Sequence, residues 1–301
     1  MFNGAITYTA EDDGIPNGGY GIEVFAAGTR NPFGICLHSN GNLYASDNGP
    51  NFSYGDMMTG CQPGESKPDV TEGDKINLLV KGGYYGTPNR IRALATNDTR
   101  QCVWRSQYEP SGEGYTAPIL NTLSSTDGLI EFHGDHFEKQ LRGNLIAAKY
   151  QGSLLRIILT PNGRGVIPQS DPAILLTPDV DALDVTQAPD GTLISTSLDQ
   201  NALYFHKPIE TATTKLQIKS VYPRRGGQTG GNALMIFGEN FDRVVSVKVG
   251  GRECIVTSLS TSKLECTIPG GTGTVDVVTT GNDGTSYNFE KGYRYVTGLP
   301  A

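Results

Sequence analysis

Apolar residues occur along the chain in short runs that end at glycine, asparagine or aspartate. In many of these runs apolar and polar positions alternate. Alternation with a period of two is typical of strands, whereas a helix needs apolar residues at a 3.6-residue interval. No segment sustains that interval, and Asp135–Leu141 is predicted to form one or two helical turns at most. The pattern therefore predicts an all-β fold.

A strand–turn–strand pattern recurs in the first two thirds of the chain. It reads Gly34–Leu37 then Gly41–Ser46, Gly128–Phe132 then Gly143–Ala148, and Asp184–Gln187 then Gly191–Thr196. The turn glycines 143 and 191 lie 48 residues apart, and glycine 41 precedes glycine 143 by 102 residues, about two such periods. A period near 40–50 residues built of short strands is typical of propeller blades. About four blades are predicted over residues 1–206.

The repeat ends near Phe205 and is followed by a polar stretch that we interpret as a linker, residues 207–215. Compact strands separated by glycine-rich turns then predict an immunoglobulin-like sandwich over residues 216–297. The expected strands are Ile218–Tyr222, Ala233–Phe237, Val244–Val249, Cys254–Ser258, Lys263–Ile268, Thr274–Thr279 and Tyr293–Val296. A length of 301 residues suits two domains.

Composition and charge narrow the function classes. Only 18% of the residues are charged, 39 are glycine, and the net charge is −7. This balance excludes a broadly basic nucleic-acid surface, and the pair Arg224-Arg225 is expected to be a solvated turn. No run of 18 apolar residues predicts a membrane span. Because Met1–Gly4 leads into polar sequence, we expect no signal peptide within this chain.

Cysteines and glycosylation sequons favour a secreted protein. The five cysteines form no zinc-type pair and allow two disulfides plus one free thiol, for which buried Cys36 is the expected candidate. Cys61 and Cys102 are expected to pair, with a Cys36–Cys61 bond as the alternative. Asn51 and Asn97 begin Asn-x-Ser/Thr sequons and are expected to carry N-glycans.

The sandwich region resembles the IPT/TIG family through several motifs. The resemblance implies an immunoglobulin-like fold, and in extracellular members the cysteines at the positions of Cys254 and Cys266 are usually bridged. Such a bridge closes a 13-residue loop here. The matching segments are Ile218–Pro223, Gly226-Gly227, Gly230-Gly231, Ile236–Phe241, Val247–Gly251 and Leu264–Pro269.

The repeat region resembles the glucose/sorbosone dehydrogenase family, which includes the soluble quinoprotein glucose dehydrogenases. The resemblance implies a six-bladed propeller in which Arg30 and Asn31 face the quinone cofactor PQQ and Lys149 stands at or beside a family lysine. It also implies that the backbone carbonyls of Gly49 and Pro50 bind the calcium ion that polarises PQQ. The matching segments are Gly28–Gly34, Ser46–Asn51, Asp74–Leu79 and Gly82–Pro88.

The chain departs from that family at positions that serve catalysis. The family's histidine base precedes the Arg-Asn-Pro segment, but the 29 residues before Arg30 contain no histidine. Two arginines that contact the cofactor late in the family's propeller are replaced by Asp181-Ala182-Leu183. PQQ carries three carboxylates, so this exchange removes cationic partners. We therefore assign no catalytic residue and expect no cofactor unless the chain is an enzyme after all.

These observations support three hypotheses about function. The first is a secreted, non-enzymatic structural or adhesion protein that binds copies of itself or other extracellular proteins. The second is a fragment of a PQQ- and calcium-dependent sugar dehydrogenase, and the third is a carbohydrate-binding module. The missing base and arginines weigh against an enzyme. Fold resemblance alone does not decide among the three hypotheses.

Overall fold

The computed structural model describes residues 25–49, 73–86, 115–122, 125–150, 152–168, 181–207, 209 and 213–298. The strands of the repeat region are Ala26–Ala27 (β1), Pro32–Leu37 (β2), Leu43–Asp47 (β3), Asp74–Leu79 (β4), Gly83–Tyr84 (β5), Leu120–Thr122 (β6), Thr126–Glu131 (β7), Leu145–Lys149 (β8), Leu155–Ile157 (β9), Ala182–Gln187 (β10), Leu193–Ser197 (β11) and Ala202–His206 (β12). The sandwich strands are Gln217–Tyr222 (β13), Arg225–Gly227 (β14), Ala233–Glu239 (β15), Val244–Val249 (β16), Arg252–Glu253 (β17), Ile255–Leu259 (β18), Lys263–Thr267 (β19), Thr274–Gly281 (β20) and Ser286–Val296 (β21).

Helical structure in the described residues is limited to two single 3-10 turns, at Phe137–Lys139 and Phe241–Arg243. In the described part of the chain, no helix has the length and apolar character that a membrane crossing requires. The all-β prediction is therefore confirmed. Asp135–Leu141, predicted to form one or two helical turns at most, contains one 3-10 turn, in which Phe137, Glu138 and Lys139 have positive φ angles.

The repeat region forms small sheets that match the sequence repeat. One has the strand order β2-β3-β4-β6, a second β7-β8-β9 and a third β10-β11-β12. Each begins with a hairpin whose turn contains glycine at a positive φ: Gly41 at 88°, Gly143 at 72° and Gly191 at 93°. Residues with a side chain rarely adopt a positive φ, which explains why the repeat retains glycine there. The three sheets are consistent with blades of a partial propeller.

The described chain separates into two compact units. The first contains the residues up to Glu131 together with Leu145–Val185 and Thr196–Ala202, and the second contains Phe132–Asn144, Thr186–Ser195 and the residues from Leu203 onwards. In the first unit, apolar side chains from several strands share one core. Its buried members are Cys36, Tyr44, Ile76, Leu78, Leu129, Leu145, Ala147 and Ile157.

Glycines in the first strands of successive sheets set the distance between those strands. A Cβ on Gly34 of β2 would lie 2.7 Å from the Asp127 carbonyl oxygen and 2.7 Å from the Leu129 nitrogen of β7. A Cβ on Gly128 of β7 would lie 2.7 Å from the Cα of Asp184 in β10. These distances are shorter than a carbon contact permits. Each glycine therefore lets the next strand approach to backbone contact.

The sandwich consists of two sheets, ordered β13-β15-β19-β18 and β14-β21-β20-β16-β17. Their facing side chains form one core that includes Ile218, Ile236, Val247, Leu264 and Phe289. All seven predicted strands are present. The last one begins at Ser286 rather than Tyr293, because the chain turns at Asn282–Gly284 and pairs at once with β20.

A loop of the repeat region belongs to the same compact unit as the sandwich and contacts it through a buried carboxylate. The Asp135 amide donates to the Lys219 carbonyl at 2.8 Å. Its carboxylate accepts a bond from the Tyr287 hydroxyl at 2.7 Å and one from the Arg142 guanidinium at 2.5 Å, and Lys139 Nζ lies 3.6 Å away. Asp135 is 2% exposed, so these partners replace its water shell.

The expectation for Arg224-Arg225 is corrected in part. Arg225 is exposed, at the start of β14, as a solvated turn predicts. Arg224 is only partly exposed and its guanidinium contacts the His133 ring, which lies in the loop that carries Asp135. Arg224 thus takes part in packing, which its sequence neighbours do not indicate.

Candidate functional site

The candidate site lies where several strand ends of the first unit meet. Arg30 and Asn31 precede β2, while Asn48 and Gly49 follow β3, and antiparallel pairing of Pro32 with Asp47 brings these segments together. Asp74 opens β4, the neighbour of β3. Thr126 opens β7 and pairs with Lys149 at the end of β8. The predicted residues Arg30, Asn31 and Gly49 therefore share one sheet end, whereas Lys149 lies at the corresponding end of the second sheet.

Asp47 fixes the backbone of the Arg30-Asn31 segment. Its Oδ1 accepts hydrogen bonds from the amides of Arg30 at 3.0 Å and Asn31 at 2.8 Å. Its Oδ2 accepts a longer bond from the Asn77 side chain at 3.5 Å. Asp47 has no exposed surface, so these donors compensate for its lost hydration.

The Arg30 guanidinium is directed at the loop after β3. Its Nη1 donates to the carbonyl of Asn48 at 3.2 Å and to that of Gly49 at 3.1 Å. The Gly49 carbonyl is the described half of the calcium site that the resemblance implies, since Pro50 lies outside the described residues. A divalent cation at this carbonyl would stand close to a guanidinium, and like charges at such range repel.

Asp74 holds the loop after β3 in place through hydrogen bonds of its carboxylate. Its Oδ1 accepts from the Gly49 amide at 2.9 Å, and its Oδ2 accepts from the Thr126 amide at 2.5 Å and the Asn48 side chain at 3.1 Å. The Asn48 side chain also donates to the Thr126 carbonyl at 3.0 Å and accepts from Asn31 Nδ2 at 3.1 Å. The loop is thus held by a network in which side chains and backbone satisfy one another.

Asp127 lies beside this network and is almost fully buried, at 1% exposed. Burial raises the pKa of its carboxyl group, and hydrogen bonds from Ser125 and Asn48 partly oppose this shift. The Ser125 hydroxyl lies 3.0 Å from Oδ1 and 3.1 Å from Oδ2. Among the described residues, no group of three or more histidine, cysteine or acidic side chains is arranged to hold a metal ion.

Two family models match parts of this chain. The family model described as Glucose / Sorbosone dehydrogenase matches residues 8–204, about two thirds of the chain. The chain belongs to the glucose/sorbosone dehydrogenase family. The family model described as IPT/TIG domain matches residues 216–293, in agreement with the second resemblance seen in the sequence.

One curated relative is quinoprotein glucose dehydrogenase B of Acinetobacter calcoaceticus, 36% identical over 66 residues. The alignment covers 22% of this chain and 10% of that enzyme, so the chain spans a tenth of the relative that it matches.

Two solved structures align with part of the chain. A Trichoderma reesei carbohydrate-active enzyme of family AA12 is 15% identical, covers 61% of this chain and 54% of its own, and has a TM-score of 0.39. SGBP-B from a xyloglucan utilization locus of Bacteroides uniformis is 18% identical, covers 50% of this chain and 45% of its own, and has a TM-score of 0.24. We draw no functional argument from scores of this size.

As a member of the glucose/sorbosone dehydrogenase family, the chain retains the family-type loop after β3. The polar groups of this loop form hydrogen bonds within the chain itself. The Gly49 carbonyl faces a guanidinium, and the carboxylate oxygens of Asp47 and Asp74 face amide donors. Calcium needs free oxygen ligands at one point. The described part of the loop therefore does not fit a calcium ion. Asp181, which the resemblance aligns with cationic residues of the family, has a left-handed backbone with φ of 43°.

The remaining predicted site residues divide into two groups. Pro50, Asn51, Asn97, Cys61 and Cys102 lie outside the described residues. Cys254 and Cys266 are buried free thiols whose side chains are hydrogen-bonded to each other, and this contact with burial raises the pKa of Cys266. The expected disulfide is therefore absent from this structure, and it remains a prediction for oxidising conditions.

Cys36 is also a buried free thiol, as expected from its sequence neighbours. Burial and the nearby charge of Glu131 raise its pKa to about 12. Sequence analysis did not identify Glu131, which accepts hydrogen bonds from the Ser39 amide at 2.6 Å and the Ser39 hydroxyl at 2.5 Å. The signal available in the sequence was an acidic residue that directly follows the apolar pair Leu129-Ile130.

Proposed function

We propose that this chain is a secreted, non-catalytic protein in which a dehydrogenase-type propeller and an IPT/TIG sandwich serve extracellular assembly or adhesion. In this proposal the propeller spans residues 1–206, the linker 207–215 and the sandwich 216–297. The observation that carries it is the pair of hydrogen bonds from the Arg30 guanidinium to the Asn48 and Gly49 carbonyls. These bonds join Arg30, which the resemblance assigns to PQQ, to the Gly49 carbonyl, which the resemblance assigns to calcium.

The electrostatics of this contact support a non-catalytic propeller. The Arg30 guanidinium is a cation that lies 3.1 Å from the Gly49 carbonyl oxygen. For calcium to bind the Gly49 carbonyl, Arg30 would have to give up its hydrogen bond to that carbonyl. The calcium ion would then lie close to the positive charge of Arg30. Asp181 adds an anion where the three carboxylates of PQQ need cations. Each of these two features weakens the binding of PQQ and calcium through charge.

Secretion is supported by the sequence features that suit an oxidising compartment. Asn51 and Asn97 begin glycosylation sequons, and Cys254 and Cys266 lie close enough to form a hydrogen bond between thiols. A disulfide there closes a short loop and stabilises the sandwich by about 3 kcal/mol in the chain-entropy description. The proposal therefore predicts glycans at Asn51 and Asn97 and a bond between the two sandwich cysteines in protein from a eukaryotic secretory route.

Calorimetry tests the proposal against the dehydrogenase alternative. The chain is titrated with PQQ in the presence of Ca²⁺ and then given glucose with an electron-accepting dye. Quinoprotein glucose dehydrogenase B serves as the positive control for both measurements. We expect no heat of binding at micromolar PQQ and no dye reduction. Micromolar binding together with turnover would overturn the proposal and establish the dehydrogenase hypothesis.

The variant Arg30→Ala sharpens this experiment. If Arg30 holds the loop, its removal lowers the unfolding temperature and leaves the absence of PQQ binding unchanged. If Arg30 instead served the cofactor, the wild-type chain would bind PQQ and the variant would bind it more weakly. The two outcomes differ in the titration itself, so they do not depend on enzyme turnover.

A further inference from the structure

The core of the first unit lies between two successive sheets of the repeat region. The first sheet, β2-β3-β4-β6, and the second sheet, β7-β8-β9, each present one apolar face to the other. The buried residues of the first sheet are Cys36, Tyr44, Ile76 and Leu78, and those of the second are Leu129, Leu145, Ala147 and Ile157. We call the face of a sheet that packs on the next sheet its front face and the opposite face its back face. The core therefore joins the front face of the first sheet to the back face of the second.

The back face of the first sheet is apolar and exposed. Ile35 and Leu37 flank the core residue Cys36 in β2, so their side chains lie on the opposite, back face. Pairing with β3 is regular from Ile35 to Leu37, because the bulge of β2 lies before Ile35. In the sequence repeat, Ile35 corresponds to Leu129 of the second sheet and Val185 of the third, which are 4% and 3% exposed. Ile35 itself is 65% exposed and Leu37 63%.

The third sheet, β10-β11-β12, has an apolar front face that is also exposed. Nε2 of His206 in β12 lies 2.8 Å from the Ser195 hydroxyl in β11, so these two side chains share a face. Ser195 corresponds in the repeat to Ala147, which lies on the back face of the second sheet. Leu203 and Phe205 stand three and one residues before His206, so they lie on the front face. They are 60% and 61% exposed.

We propose that the front face of the third sheet packs on the back face of the first sheet in a second copy of this chain. The chain makes this front-to-back contact twice within itself, between the first and second sheets at Gly34 and between the second and third at Gly128. The occupant that fits the open back face is therefore a sheet of the same repeat, and the third sheet has an exposed front face. Because two different faces meet, the contact is heterologous and can continue from copy to copy.

The inference rests on the assembly role proposed above and names its partner. Exposed apolar surface of this kind marks a site of protein association. Asp184 stands at the repeat position of Gly34 and Gly128, so we expect side chains rather than backbones to make the contact between copies. A few apolar side chains from each sheet bury less than the roughly 1,600 Å² of a standard interface. Association is therefore expected to be reversible and to increase with protein concentration.

Sedimentation velocity of the 301-residue chain over a wide concentration range tests this contact. We expect wild type to form reversible oligomers, including species larger than a dimer. Ile35→Lys blocks only the back face, and Phe205→Lys blocks only the front face. Each variant alone is expected to have a dissociation constant at least tenfold higher than wild type, because the contact would bury a lysine charge. An equimolar mixture retains one usable contact, between the front face of Ile35→Lys and the back face of Phe205→Lys. The mixture is therefore expected to form a dimer and nothing larger.

Ile255→Lys provides the matched control, because Ile255 is an exposed apolar residue on β18 of the sandwich. We expect this variant to associate as wild type does. Circular dichroism melting checks that all three variants remain folded, which their exposed positions favour. A wild-type chain that stays monomeric, a single variant of either face that associates normally, or a mixture that stays monomeric overturns the contact. The PQQ titration is a separate measurement, so failure of this inference and failure of the proposed function are distinguished.

Discussion

Asp47 shows how one buried carboxylate determines the conformation of a loop. It binds the amides of Arg30 and Asn31 and has no exposed surface. In Asp47→Ala, both amides lose their acceptor in a site that water does not reach. We expect a loss of about 2–4 kcal/mol in the free energy of unfolding, measured by urea titration. Asp283→Ala, which removes an exposed carboxylate from the Asp283–Thr285 turn, serves as the control and should have a much smaller effect. Equal losses in the two variants would contradict this account.

The Cys36 thiol is expected to be chemically inert in the folded chain. Since burial and Glu131 raise its pKa to about 12, fewer than about one in a thousand molecules carries the reactive thiolate at pH 8.5. Iodoacetamide at that pH should leave Cys36 unmodified in native protein and should modify it fully in guanidinium chloride. Peptide mass mapping measures both states. Rapid native labelling of Cys36 would be inconsistent with the buried thiol.

The sequence predicts which residues of the site lie together but not what they bind. The two family-type segments around Arg30 and Gly49 lie at one end of the same sheet, because Pro32 pairs with Asp47. The Arg30 side chain points toward the carbonyls of residues 18 and 19 positions later in the chain. No local sequence pattern predicts such a contact. Asp74 belongs to a family-type motif, but its three donors come from the loop after β3 and from the start of β7.

At the scale of elements, the glycines of the first strands carry the packing between sheets. Gly34→Ala places a methyl group 2.7 Å from the backbone of β7, and neither backbone can move aside freely. We expect the free energy of unfolding to fall by about 1–3 kcal/mol. In Gly165→Ala the nearest atom is 3.6 Å away and φ is not positive, so this control should lose little stability. Chemical denaturation of both variants decides the question, and equal stabilities would rule out close strand approach.

The loop that carries Asp135 is expected to stabilise the sandwich with which it forms one compact unit. Asp135→Ala leaves the Arg142 charge and the Tyr287 hydroxyl without their buried acceptor. We expect a loss of about 3–5 kcal/mol, since removal of one partner from a buried pair is strongly destabilising. Near-ultraviolet circular dichroism during urea unfolding reports on Tyr287 and its neighbours. Asp283→Ala, which removes an exposed carboxylate of the same unit, should unfold close to wild type.

The elements that sequence analysis missed are those without an apolar pattern of their own. Strands β14 and β17 contain only two or three residues and form because longer neighbours present free backbone groups. The first half of β21 is an exception, because Ser286–Glu290 alternates polar and aromatic residues and Phe289 lies in the sandwich core, yet sequence analysis began this strand only at Tyr293. The long apolar runs, by contrast, give strands close to their predicted bounds, because burial of one face fixes both the period and the register.

At the scale of the whole molecule, acid is expected to lower stability. Burial lowers the pKa of His206 below its ordinary 6.5, so the folded chain keeps this ring neutral while the unfolded chain protonates it. Its contribution is present above pH 6.5 and is lost as the pH falls through the lowered value. Asp276 acts in the same sense at lower pH, because the Lys291 amide and Asn288 hold the pKa of its carboxyl group below the usual 3.8. Asp127, with its raised pKa, opposes the trend.

Melting temperatures between pH 4 and pH 8 measure this dependence. We expect a steady decline below about pH 6.5, reduced in His206→Gln over the range where histidine titrates. Glutamine keeps a polar group beside the Ser195 hydroxyl, which lies 2.8 Å from Nε2 of His206. A melting temperature that rises between pH 6.5 and pH 5 would show that Asp127 or another buried carboxyl group dominates instead.

The backbone contacts made at Gly34 and Gly128 have a consequence for how this propeller changes over time. Where main chain meets main chain, the spacing between blades depends on the absence of a side chain and hardly on the identity of its neighbours. Residues at the blade ends are then free to drift, and charges can be replaced or reversed without disturbing the architecture. A propeller of this kind can keep the fold of its family even when mutations change the functional residues at the ends of its strands.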